Sequence, residues 1–233
     1  PDGRTLVYRR LTSRGGSDLM LLEGADGATP KAYLRDGFTN RQAAFSPDGQ
    51  SIAFVAERKL RTVQLSGGTP LTLRDRVDGA GLTWTADQFI LYNPGTATGI
   101  WRIPAAGGEA VAVTLPGFQD NEQRFPEVLP GGKGLLFSAR GGVTEDQVYV
   151  ESLETHERRM LVKGSAPHYL STGHLVFVQA GTLFAVRFDA ERLEAAGAPV
   201  AVIEGVRQTR SGQPLISYSD VGSIVYVSAN TEP

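Results

Sequence analysis

Six short stretches of the chain end in the same pattern, two aliphatic positions followed by an aromatic one. They are Leu6-Val7-Tyr8, Ile52-Ala53-Phe54, Ile90-Leu91-Tyr92, Leu135-Leu136-Phe137, Leu175-Val176-Phe177 and Ile224-Val225-Tyr226. Upstream of each lies a polar turn: Pro1-Asp2-Gly3, Pro47-Asp48-Gly49, Ala86-Asp87-Gln88, Pro130-Gly131-Gly132, Ser171-Thr172-Gly173 and Asp220-Val221-Gly222. Apolar runs this short, bounded by turn residues, predict strands and not helices. Proline presets φ at the first corner, aspartate or serine bonds the backbone two residues on, and glycine takes the last position, where φ is positive. Gln88 breaks the glycine rule, so its turn is expected to be of another type.

The turns end at positions 3, 49, 88, 132, 173 and 222, at intervals of 46, 39, 44, 41 and 49 residues. That is the period of about 40–45 residues of a four-stranded propeller blade. A third strand follows each of the first five triplets, for example Ile100-Trp101-Arg102-Ile103 and Val148-Tyr149-Val150. Second hairpin turns follow at Asp26-Gly27, Gly67-Gly68, Gly107-Gly108 and Thr155-His156, and short outer strands after them. Asp189 is placed to cap a single helical turn over 189–194. The fold class is therefore all-β, a β-propeller of four-stranded antiparallel blades. The blade units are 1–37, 38–79, 80–121, 122–164, 165–209 and a partial 210–233, in one domain over 1–233. Counted this way the chain has 21 strands, three in the first unit and two in the last. Six blades are favoured, with five as the alternative, and both ends look cut from a longer array.

Composition agrees with this reading. Glycine (28) and proline (13) are frequent in a chain of 233 residues, as many tight turns require. Cysteine is absent, which excludes disulfides, thiolate metal sites and a cysteine nucleophile. The net charge of −2 offers no overall attraction to nucleic acid. No apolar run approaches the ~20 residues that span a bilayer, and no signal peptide is visible, so no membrane insertion by this chain is expected.

Candidate chemistry is sparse. His168 and His174 bracket one hairpin with no third ligand nearby, so no metal site is expected. Gly-x-Ser-x-Gly does not occur. A glycosidase needs two facing carboxylates, whereas Asp120, Glu122 and Glu127 all come from one blade junction. Lys133 lacks the spacing of a phosphate loop. Trp84 and Trp101 are expected between blades. One face is different. Propeller geometry groups the connections between second and third strands with those between blades. These loops hold fourteen cations against eight anions, a net +6. Arg41 and Arg124 occupy equivalent positions, eight residues before Gly49 and Gly132, where guanidinium groups could fork onto carboxylate or phosphate. Local pairing of these loop charges is the competing reading, Arg124 with Glu122 or Asp120 and Arg41 with Asp36. The candidate ligand-binding residues are Arg41, Arg124, Glu122, Asn121 and His168.

The segment Ser46-Pro47-Asp48-Gly49-Gln50-Ser51-Ile52-Ala53-Phe54 resembles the WD-like repeat of the TolB family, the periplasmic propeller of the Tol-Pal envelope system. A wider ordered set is similar to the C-terminal propeller of bacterial membrane-anchored serine/threonine kinases. It runs from Leu65-Ser66-Gly67-Gly68-Thr69-Pro70 through Trp101–Gly108, Leu129–Gly134 and Ser152–Thr155 to Gly181–Asp189. That resemblance covers nearly the whole chain. It implies a kinase domain and one membrane helix ahead of an extracytoplasmic propeller, although none of the kinase motifs stands in this sequence. The expected function is thus a non-catalytic sensor module binding an anionic ligand or a protein, and not an enzyme. A TolB-like periplasmic scaffold is the alternative, and a five-bladed-type glycosidase or lyase comes third. No cofactor is expected; self-association through open strand edges is.

Overall fold

The computed structural model describes residues 5–11, 17–23, 29, 31–34, 40–78, 81–117, 122–141, 145–209, 213–218 and 224–229. Among them are 21 strands in six antiparallel sheets. The sheets are β1(Thr5–Leu11) to β3(Lys31–Leu34), β4(Asn40–Phe45) to β7(Leu71–Asp75) and β8(Leu82–Trp84) to β11(Val111–Ala112). They continue with β12(Glu122–Val128) to β15(Arg158–Lys163), β16(Ser165–Leu170) to β19(Glu194–Ile203), and the pair β20(Ile216–Tyr218) with β21(Ile224–Tyr226). Strands within a sheet follow chain order, so every connection is a hairpin. The chain divides into two compact units, Pro1–Thr96 with Ile100–Ala112, and Ala97–Gly99 with Val113–Pro233.

The repeated triplet lies in the second strand of each four-stranded sheet and of the final pair, and in β1 of the three-stranded sheet, and its alternation explains why the second strand is apolar in the complete sheets. In the first unit, Ile52, Phe54 and Ala56 pack with Leu19 and Leu21 of β2(Ser17–Glu23). Ala53 and Val55 point the other way, onto Ile90, Tyr92 and Ile103. In the second unit, Leu136 packs with Leu175 and Phe177, while Val176 and Val178 pack with Val206, Ile216, Tyr218 and Ile224. A strand covered on both faces has no polar side, and a register slip of one residue would only exchange one buried set for another. Register must therefore come from the turns. The aromatic residues Phe54, Tyr92, Phe137 and Phe177 are all buried at 0–1% exposure. They face Arg61, Trp101, Tyr149 and Phe184 across the hairpin. Tyr8 is half-buried. Tyr226 of the two-stranded sheet is 41% exposed.

The first turns are one motif repeated. Gly49, Gln88, Gly132 and Gly173 each donate the backbone N–H to the carbonyl three residues earlier, at 2.8–3.0 Å. All four have positive φ, from 65° to 78°. Gln88 thus does not make a different turn, as expected from its side chain; it adopts the glycine conformation. The Trp84 indole N–H donates to its Oε1 at 3.1 Å, which helps hold this strained residue in place. Asp189 accepts from the amides of Glu191 and Arg192 at 3.0 Å each, as a cap would. It closes the turn between β18(Thr182–Asp189) and β19 and starts no helix. Trp84 and Trp101 pack against the core of the first unit, in line with the structural reading of both.

Candidate functional site

In, or for Gly81 just before, the first strand of each four-stranded sheet the backbone turns left-handed at one repeated point, seven residues before the turn residue. There Gln42, Gly81, Phe125 and Ala166 have positive φ. Register shifts mark β-bulges at this point in β4, β12 and β16. A bulge re-aims the side chains on either side of it. In the second unit it separates two polar groups on β12, one around Arg124 and one around Glu127.

Arg124 lies just before the bulge and is 2% exposed. Its Nη2 donates to Asp146 Oδ2, and its Nε is 3.9 Å from Glu122. Arg140 also binds Asp146, with Nε 2.7 Å from Oδ1. Asp146 is held in turn by its own backbone, whose carbonyl accepts from Gly164 N–H at 2.7 Å. Gly164 has φ 145°, and a Cβ there would sit 2.6 Å from Phe177 Cδ2, so only glycine lets the chain pass. The guanidinium of Arg124 is therefore not free at the surface as the sequence suggested. It is engaged, chiefly by Asp146 and more loosely by the expected Glu122.

The same local pairing recurs on the other loops of the expected basic face. The grouping of those loops is visible in backbone bonds from Val77 to Arg58, Gly164 to Asp146 and Val206 to Gly181. Across them Arg58 forks onto Asp78 at 2.8 and 2.9 Å, and Lys59 lies 3.6 Å from Asp75. Arg41 pairs with Val55 in the β4–β5 ladder, in the register that pairs Arg124 with Ser138. The side chain of Arg41, all of Asn121, and the acids Asp36 and Asp120 lie outside the described residues.

Past the bulge, Glu127 sits opposite Leu136, the middle residue of its triplet, and His168 sits opposite Val176, the equivalent residue of the next sheet. Glu127 reaches across to β16. Its Oε1 accepts from Tyr169 N–H at 2.9 Å and its Oε2 lies 2.8 Å from His168 Nδ1. A carboxylate only accepts, so His168 carries its proton on Nδ1. The His168 ring stacks on Tyr218 of β20, with centroids 4.6 Å apart and planes within 5°. Burial pushes the Tyr218 phenol up, and the nearby Glu127 charge adds to the shift. Three successive first strands thus contribute one side chain each to a row. His168 Nε2 and Tyr218 Oη, both buried, have no hydrogen-bond partner.

Of the residues expected from sequence, the structure brings Glu122 and Arg124 into one group and places His168 in the other. From sequence, Glu127 is only a carboxylate lacking an opposite number, Asp146 and Arg140 are only two of the loop charges, and Tyr218 has no role beyond its strand. Aligning the repeats reveals part of this, since Glu127 and His168 both stand five residues before the turn glycine. Nothing in the local sequence reveals Asp146. Among the described residues no three His, Asp or Glu side chains converge as a metal site would need.

No family model matches the chain, and no curated protein matches its sequence. Solved structures do. TolB from Acinetobacter baumannii superposes with a TM-score of 0.68 at 16% identity over 92% of this chain. The fold is a TolB-like β-propeller. The chain spans 54% of the length of that TolB structure. An oligogalacturonate lyase in complex with manganese matches with a TM-score of 0.64 at 13% identity, over 99% of this chain and 72% of its own. A puromycin-hydrolyzing peptidase of Mycobacterium tuberculosis matches with a TM-score of 0.61 at 15% identity, over 88% of this chain and 37% of its own. These similarities correct the expectation that the chain is not an enzyme. Propellers of this kind occur in a lyase and a peptidase, so the fold is no ground for setting catalysis aside. Among the described residues no helix is long and apolar enough to cross a membrane.

Proposed function

We propose that this chain is a ligand-recognition module, the extracytoplasmic propeller of a bacterial receptor-type serine/threonine kinase. The recognition part rests on one observation, the Glu127–His168–Tyr218 row on three successive first strands with two buried polar atoms left unpaired. Buried polar atoms are paired in the large majority of cases, and an unpaired one calls for an explanation, a bound group or an ordered water among them. The kinase part rests on the ordered motifs from Leu65 to Asp189, which run in that family's order over nearly the whole chain.

The test is made on the native protein that carries this chain. It should contain a kinase domain and one membrane helix, and protease added to spheroplasts should digest the propeller while sparing the kinase. A native protein without kinase motifs, or a propeller protected until the inner membrane is lysed, would overturn the receptor-kinase assignment. The lyase and peptidase likenesses are fold likenesses, and the Arg124 and Glu127 groups by themselves single out neither reaction.

A further inference from the structure

We draw no further inference here: the strongest candidate, the apolar patch at the edge strand β21 where Val225, Tyr226 and Val227 are exposed, is an unpartnered face, and nothing in the structure shows what covers it.

Discussion

Two polar groups sit on one strand of this protein, three residues apart, and a β-bulge parts them. On one side of it Arg124 is buried with Asp146, and Arg140 adds a second cation to the same carboxylate. On the other, Glu127 satisfies one backbone amide and one imidazole nitrogen, while the two rings beyond it keep unpaired polar atoms. Each group keeps at least one buried polar atom without a partner, Arg124 Nε in the first and His168 Nε2 with Tyr218 Oη in the second. What differs is charge: the first meets two guanidinium groups with two carboxylates, whereas Glu127 meets a backbone amide and an imidazole.

If the first group is structural, removing one partner must be expensive. Asp146→Ala leaves the Arg124 guanidinium buried and largely unpaired, and should cost about 3–5 kcal/mol in denaturant unfolding. Replacing the pair together, Arg124→Met with Asp146→Leu, should recover most of that loss. A single variant within about 1 kcal/mol of the parent would show that Arg124 does not depend on Asp146, and the contrast would collapse.

The second group should respond unequally to its parts. Glu127→Ala strands the Tyr169 amide and His168 Nδ1 and should cost about 1–3 kcal/mol. Tyr218→Phe removes a hydroxyl that has no partner, so the stability of the ligand-free protein should stay unchanged or rise slightly. Equal losses from the two substitutions would mean that the Tyr218 hydroxyl is already satisfied.

Alkaline pH offers a further separation. The phenols of Tyr218 and Tyr92 are raised above their ordinary value of 10.0, chiefly by burial. A raised value means that the folded state holds its proton more tightly than the unfolded one. The associated stability is complete below pH 10 and is lost as pH rises above it toward the folded values. Melting temperature should therefore fall between about pH 10 and about pH 12, and less steeply in the Tyr218→Phe, Tyr92→Phe double variant. Identical slopes would contradict the burial of these two phenols.

Smallest of all should be the exposed pairs, such as Lys133 with Glu191 and Arg159 with Glu194. Breaking either should scarcely move the melting temperature, and whatever effect appears should fade as salt is added. A salt-resistant loss would rank these surface pairs with the Arg124 group.

Much of the architecture was readable along the chain. The strand count, the hairpin order and the turn glycines follow from an apolar triplet and a turn that recur together, because both are decided by residues a few positions apart. Gln88 shows the limit of that logic, since its turn kept the repeat's geometry although its side chain argued otherwise. The charged face shows another limit. Within a sheet the two kinds of loop meet as expected, and Arg58 and Arg124 pair with acids from adjoining loops, Asp78 and Asp146, the local pairing that competed with free cations.

What the sequence by itself determined is the repeating unit, a strand–turn–strand hairpin closed by an aromatic residue, because turn chemistry and alternation act over short range. Only the tertiary structure decided which polar residues meet. Arg124 and Asp146 are 22 residues apart, Glu127 and His168 are 41 apart, and Tyr218 reaches the row from another sheet. Those meetings depend on how neighbouring sheets pack and on a bulge that turns one strand partway along, neither of which leaves a local trace beyond an unremarkable Phe125 in the left-handed region.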